Sequence, residues 1–368
     1  MRETRKFPLV VDLDGTLTTS DTLMESVIRV VKRKPANLLR LPFWLAGGRA
    51  AFKAEVAEHA DFRAETIPYR KSLIDYLTRE RESGRKIVLA TAAHCSIAER
   101  VSTHLGLFDR VIATSGDTNL EGEAKLACIR EQIGDDFVYA GDSKVDLPIW
   151  AGARGAILAG VSCDVAADVR SHVPIEHEFT NVRATFSTWC KALRVHQWLK
   201  NLLLFVPLLT AFAFLDVDKV SVLALAFLSM SLGASATYIG NDLWDLDSDR
   251  RHPRKCNRPF ASAVLSISQG IACAAVLLTL AFALALAVSA EFTGMFVLYL
   301  FLTTAYSWRL KSIVLLDVVV IAVHVPNRRR SSCSGNYGES MAPCILRVCF
   351  SQPRARETLL RVGVLAPE

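Results

Sequence analysis

Phe7-Pro8-Leu9-Val10-Val11-Asp12-Leu13-Asp14-Gly15-Thr16 is the stretch that decides the fold of the first half of the chain. Its apolar run is continuous rather than alternating. That pattern marks a strand buried on both faces, as in a parallel sheet. Four similar runs follow, at 86–90, 110–113, 137–140 and 155–159, and helical patterns at 96–105, 123–132 and 146–151 lie between them. Strands alternating with helices predict an α/β doubly wound parallel sheet over residues 1–185. In such sheets chemistry gathers at the carboxyl ends of the strands.

The residues at those ends are Asp12 and Asp14, then Thr91 after Ile87-Val88-Leu89-Ala90, then Asp142 and Asp146 after 137–140; Lys125 lies between the last two groups. A single carboxylate at a strand end commonly caps a helix. Two acids flanking one turn, with two more at a second strand end, would repel one another if left uncompensated. A divalent cation relieves the repulsion, and an all-oxygen ligand set favours Mg²⁺.

This order of motifs resembles the haloacid dehalogenase phosphohydrolase superfamily over about residues 5–170. The resemblance implies Asp12 as a nucleophile forming an aspartyl-phosphate and Asp14 as general acid and base. It implies Thr91 and Lys125 as phosphate-binding residues. The metal site would consist of Asp12 and Asp142, with Asp146 orienting that shell. An acid at Asp14 favours phosphatase over dehalogenase chemistry. Residues 20–80 would be a helical cap that sets the choice of a phosphorylated small molecule. The cap holds Lys32, Arg33 and Lys34 and then the apolar run 38–46, which is either cap core or a lip on a membrane surface. His94 and His104 lack partner spacing and are expected to be structural.

Composition sets the wider bounds. The 368 residues are 51% hydrophobic and 22% charged, with a mean hydropathy of +0.27. These values exclude a disordered chain, a coiled coil and a small disulfide scaffold. Net charge is +6, but the basic residues of the second half flank apolar runs and no nucleic-acid-binding signature is present. Nine cysteines without a C-x-x-C pair predict reduced thiols rather than zinc or a disulfide framework. No signal peptide precedes the first strand, so the N-terminal domain is expected in the cytoplasm.

The apolar excess is concentrated after residue 190. Segments 201–215, 220–240, 264–290 and 292–308 read as spans of an all-α multi-span membrane domain, since about 20 apolar residues cross a bilayer. Basic clusters alternate with nearly basic-free turns, which by the positive-inside rule puts residues 1–200, 241–262 and 309–312 on the cytoplasmic side of an inner or plasma membrane. In the cytoplasmic loop, Asp242, Asp245 and Asp249 recur at i, i+3 and i+7. They share one face if the span's helix continues through them. Three carboxylates there fit Mg²⁺ bound to a diphosphate, with Arg250, Arg251, Lys255 and Arg258 on phosphate oxygens. The alternative is a solvated acidic-then-basic loop, which explains the charge but not the spacing.

Asn241-Asp242-x-x-Asp245-x-x-x-Asp249 resembles the first aspartate-rich motif of UbiA-type intramembrane prenyltransferases. The run Arg250 to Pro259 and His196-Gln197-Trp198-Leu199-Lys200-Asn201 favour the subgroup similar to decaprenyl-phosphate phosphoribosyltransferases. The resemblance covers about residues 190–323. It implies Lys200 among the phosphate-binding residues, a polyprenyl phosphate or diphosphate as lipid substrate, and Mg²⁺ drawing a diphosphate from an electrophilic carbon. The family has about nine spans and a second aspartate-rich motif; four or five spans can be counted here. From Pro326 onward seven Arg appear with no Lys and no period. The expectation is an incomplete membrane domain at 190–325 followed by an aberrant or disordered tail at 326–368. Two rival readings stand beside the bifunctional enzyme: a membrane-anchored phosphatase with an inactive transferase domain, and a non-enzymatic membrane scaffold.

Overall fold

Strand β1 (Leu9–Val11) lies fully buried in the middle of a six-stranded sheet. The computed structural model describes residues 7–115, 119–206, 208 and 215–308. The strands are β1, β2 (Ile87–His94), β3 (Arg110–Thr114), β4 (Val138–Gly141), β5 (Gly155–Ala159) and β6 (Ile175–Phe179). Their order is β3-β2-β1-β4-β5-β6, and every pair is parallel. The doubly wound sheet read from the sequence is therefore observed. Strand β6 was not among the expected strands. Ile-Glu-His-Glu-Phe is mostly solvent-exposed and sits at the sheet edge, so it lacks the continuous apolar run of its neighbours.

Helices α1 (Thr22–Arg33), α2 (Leu41–Ala46), α3 (Arg49–His59) and α4 (Lys71–Glu82) lie between β1 and β2. Next come α5 (Cys95–Leu105), α6 (Glu123–Ile133), α7 (Leu147–Ala151) and α8 (Cys163–His172). Two apolar clusters cover the two faces of the sheet. One holds Leu9, Val11, Leu73, Leu89 and Val101; the other holds Val10, Ile112, Ile129, Tyr139 and Trp150. Successive residues of β1 thus enter opposite layers, as strand geometry requires. The α1–α3 part has its own small core of Val30, Val56 and Ala60.

The described chain divides into two units. The first takes residues up to Thr185 and also Leu243–Gln269; the second takes Phe186–Asp242 and the described residues from Gly270. The second unit holds α9 (Phe186–Leu193), a 3-10 segment (Val195–Phe205), most of α10 (Val217–Trp244) and of α12 (Ile267–Val288), and α13 (Ala290–Trp308). Its core includes Leu204, Met230, Ala281, Phe292 and Phe296. Gly233 is required there, since a Cβ would lie 2.6 Å from ring carbons of Phe296. Ser229 Oγ donates to the Ala281 carbonyl at 2.8 Å. Small residues and hydroxyl bonds of this kind bring helices close in apolar surroundings.

Among the described residues, α10 and α12 are long and apolar enough to cross a membrane, and Ala290–Ala305 is apolar but shorter. These correspond to the second, third and fourth expected spans. The first differs: its opening residues lie in the 3-10 segment Val195–Phe205, and residues 207 and 209–214 lie outside the described residues. A fifth apolar stretch, Ile313–Val325, and the tail at 326–368 also lie outside them.

Candidate active site

Because β1 and β4 are neighbours in register, with Val11 beside Ala140, the turn that follows each strand opens at the same end of the sheet. Asp12 N–H continues the ladder to the Ala140 carbonyl at 3.0 Å. Its Oδ1 accepts from Leu13 N–H at 2.8 Å and lies 3.0 Å from Lys125 Nζ. Lys125 projects from α6, buried, and also donates to the Tyr139 hydroxyl at 3.1 Å. Tyr139 in turn donates to Asp146 Oδ1 at 2.8 Å. Asp146 Oδ2 accepts from the N–H groups of Asp142 (3.2 Å) and Ser143 (3.3 Å) and from Ser143 Oγ (3.3 Å). Asp146 is thus engaged in shaping the 141–143 turn that presents Asp142.

Gly15 holds the opposite wall. Its φ is +77°, and a Cβ would stand 2.1 Å from Asp142 Oδ2. Only glycine allows this backbone and this approach. Arg70, buried at the start of α4, supports the same turn by donating to the carbonyls of Gly15 (2.8 Å) and Thr16 (3.0 Å).

Asp12, Asp142 and Asp146 each offer an oxygen within 4.8 Å of the others, with Lys125 as their common cationic neighbour. Burial, more than Lys125 can offset, pushes the Asp12 carboxyl up to about 6. Burial and then the Asp12 and Asp146 charges push Asp142 up to about 8. Lys125 goes the other way: burial favours its neutral form, but Asp12 and Asp146 prevail and raise it. Among the described residues, the three carboxylates outnumber the Lys125 ammonium, even with the Arg70 charge felt at Asp142. A divalent cation coordinated by oxygen fits this donor set.

Asp14 accepts from Thr22 N–H at 2.7 Å and Thr22 Oγ1 at 3.2 Å, at the first turn of α1. Burial and the neighbouring Asp21 raise its carboxyl to about 7. It lines a cavity of about 110 Å³ with Thr22, Lys53, Ala92 and His94. Thr91, buried within β2 just before its register shift, accepts from Ala93 N–H at 3.0 Å. His94, besides lining that cavity, caps α5 by accepting from Ser96 N–H at 3.4 Å, and His104 stacks on Tyr69.

Tyr139, Arg70 and Lys53 were not found by reading the sequence. Tyr139 sits inside an apolar strand, where nothing local distinguishes it from core. Arg70 precedes α4 and carries no pattern of its own. Lys53 Nζ donates to the Ala92 carbonyl and to Asn119 Oδ1, both at 2.7 Å. Its one signal was a lone cation among Ala50-Ala51-Phe52 and Ala54.

The residues of the acidic loop motif are divided between the two units. In the second unit, Asp242 is buried near the end of α10, and its Oδ1 lies 2.6 Å from Arg194, whose guanidinium stacks over Tyr238. Helix α10 ends at Trp244. Asp245 leaves helical geometry at ψ 9° and caps α11 (Leu246–Arg251). One continuous helix through Asp242, Asp245 and Asp249 is therefore not formed, so the single-face argument from spacing does not apply.

In the first unit, Asp249 is buried with Arg258 at 2.5 Å and Lys255 at 3.6 Å. Arg250 was expected on phosphate. It spends four of its five N–H donors on Glu25 (2.9 and 2.8 Å) and on the carbonyls of Thr66 (3.0 Å) and Ala261 (3.1 Å). Asp247, outside the expected set, takes Arg29 at 2.7 Å. Burial alone would raise its carboxyl, but Arg29 holds it below the usual range. Lys32 donates to the Trp244 carbonyl at 2.8 Å. Arg251 donates to the Asp247 carbonyl at 3.1 Å. Lys200 lies half-buried in the 3-10 segment.

Comparison with known proteins also divides the chain in two, but residues 243–269, packed into the first unit, fall inside the second match. The family model described as haloacid dehalogenase-like hydrolase matches residues 9–150, and that of the UbiA prenyltransferase family matches residues 202–325. The protein described as "Uncharacterized protein y4nM" of Sinorhizobium fredii (strain NBRC 101917 / NGR234) is 40% identical over 319 residues, 86% of this chain and 62% of its own length. Nodulation protein NoeC of Azorhizobium caulinodans is 38% identical over 37% of this chain and 44% of its own. Decaprenyl-phosphate phosphoribosyltransferase of Mycobacterium tuberculosis (strain CDC 1551 / Oshkosh) is 33% identical over 36% of this chain and 45% of its own. The chain thus spans less than two thirds of the length of each of these relatives. It joins a haloacid dehalogenase-like hydrolase domain to a UbiA prenyltransferase family domain, and both families are families of enzymes.

Proposed function

We propose that the chain is a membrane-bound enzyme with two Mg²⁺-dependent sites, a phosphatase and a polyprenyl-linked transferase. The phosphatase reading is carried by one observation: the Asp12, Asp142 and Asp146 oxygens converge within 4.8 Å beside Lys125. Asp12 and Asp142 would hold the ion, and Mg²⁺ there would neutralise the charge of phosphoryl oxygens. Leu13 N–H and Lys125 orient the Asp12 carboxylate for attack on phosphorus. Asp14, a carboxyl pushed up to about 7 by burial and by Asp21, gives its proton to the leaving oxygen and then takes one from water. Lys125 and Thr91 hold the phosphoryl group, and Asp146 keeps the 141–143 turn in place. The test is Mg²⁺-dependent hydrolysis of a panel of phosphomonoesters by wild type and Asp12→Asn. A fall of about 10³-fold or more is expected; equal rates would leave the scaffold reading in its place.

The transferase reading rests on Asp242, Asp245 and Asp249 with the phosphoribosyltransferase relatives. In it those acids would hold Mg²⁺, which would neutralise a diphosphate, with Lys200, Arg251, Lys255 and Arg258 on its oxygens; a polyprenyl phosphate oxygen bonds the electrophilic carbon as the carbon–diphosphate bond breaks and diphosphate leaves. Arg250 then serves the loop through Glu25. The fused phosphatase would remove a phosphate from the lipid-linked product, a consecutive step. The basic loop residues support a multi-pass protein with the hydrolase domain on the cytoplasmic side. Asp245→Asn should abolish transfer of label from phosphoribosyl diphosphate to polyprenyl phosphate and spare phosphatase activity. If it changes nothing, the chain is an anchored phosphatase with an inactive second domain.

A further inference from the structure

The proposed chemistry makes no use of the outer surface between α1 and α3. From Ser26 to Ala54 the chain has no acidic residue, yet it has seven basic ones. Of these, Lys32, Arg33, Lys34, Arg40 and Arg49 are exposed. In their midst lie the 3-10 turn Pro35–Leu39, where only Asn37 is buried, and helix α2, which has no buried residue. Leu41 and Trp44 turn inward onto the Val30 and Val56 core. Leu38 (58% exposed), Leu39 (75%), Phe43 (78%) and Leu45 (57%) turn outward. Scattered apolar residues are normal on a protein surface, but four large ones within eight positions of a stretch that carries no acid are not.

A second observation says where this surface lies. Lys32 is bonded to the carbonyl of Trp244, the last residue of α10. Leu38 follows six residues later, within roughly 20 Å along even an extended chain. The loop Leu243–Gln269, packed into the first unit, joins α10 to α12, the two helices long and apolar enough to cross a membrane. If those helices cross, both ends of the loop emerge at one bilayer surface, and α1 is tied to one of them.

We propose that residues 35–46 form a lip that rests in the headgroup layer of that leaflet, with Leu38, Leu39, Phe43 and Leu45 toward the acyl boundary. Arg33, Lys34 and Arg40 then face anionic lipid, while Arg49 pairs with Glu121 and Lys32 with the Trp244 carbonyl. Apolar insertion and basic flanks are the two signals that surface binding needs, and the second makes it selective for anionic headgroups. The proposal rests on the reading that α10 and α12 span the membrane.

The test is amide hydrogen exchange on the full chain, in detergent and in nanodiscs of phosphatidylcholine with and without phosphatidylglycerol. Exchange over residues 35–46 should be roughly ten-fold slower in the anionic discs. Leu39→Ser/Phe43→Ser and, separately, Lys34→Glu/Arg40→Glu should remove most of that difference. Hydrolysis of a soluble phosphomonoester by these variants should stay at the wild-type rate, which shows that they fold. Equal exchange in both discs, or slow exchange already in detergent that the variants do not alter, overturns the lip, the latter because protein covers the surface. Slow exchange across Ile267–Val288 in both discs reports that the chain is embedded. Fast exchange there defeats the spanning reading and the lip with it.

Discussion

The acids around Lys125 and those around Arg29 and Arg250 are the same residue types, similarly buried, in the same unit, yet they are balanced differently. Asp12, Asp142 and Asp146 share a single ammonium, and the Asp12 and Asp142 carboxyls are pushed up. Glu25 and Asp247 face two guanidiniums. Arg250 meets both oxygens of Glu25, and Arg29 bridges Glu25 to Asp247. There the Asp247 carboxyl is pulled down. The first group carries an excess of carboxylate; the second balances two acids with two guanidiniums and ties the 243–269 loop to α1. A count of acids does not separate a site from a strut, whereas the sign of the charge left over does.

The largest effect should come from the group with excess carboxylate. Mg²⁺ should raise the Tm of wild type, as any ligand bound only by the folded state does. Asp142→Asn should remove that rise and lower kcat about 100-fold or more. A rise of equal size in the variant would move the ion elsewhere. Next is the balanced group. Glu25→Gln and Arg250→Met should each cost about 3 kcal/mol in chemical unfolding, because each strands a buried charge. The double variant should cost clearly less than the sum of the two. Additive costs would show that the pair does not act as a unit.

The smallest effect concerns acid. The Asp247 carboxyl is depressed in the fold, so its contribution is complete above the ordinary carboxylate value of about 4. It is lost as pH falls through the lower folded value. Arg29→Met should flatten that part of the stability profile. An unchanged slope would mean that the pairing is not felt on folding.

Much of the hydrolase domain was legible because its signals are local. Buried parallel strands are continuous apolar runs, and the acids stand immediately after them, so Asp12 and Asp142 were found by position alone. Strand β6 escaped because edge strands are polar. Tyr139 and Arg70 escaped because their partners are distant in sequence: Tyr139 reaches Lys125 on α6, and Arg70 reaches Gly15 and Thr16 across the sheet end. The acidic loop was legible as a motif but not as a shape. Its spacing assumed one helix, while the backbone turns at Asp245 between two.

By itself the sequence determined the two-part order of the chain, the strand-end acids and the apolar lengths of α10 and α12, since each depends on residues close together along the chain. Only the tertiary structure decided which cations meet which acids. Those pairings set Lys125 against several carboxylates and gave Arg250 to Glu25, residues separated by more than two hundred positions, whose meeting depends on packing rather than on any local pattern.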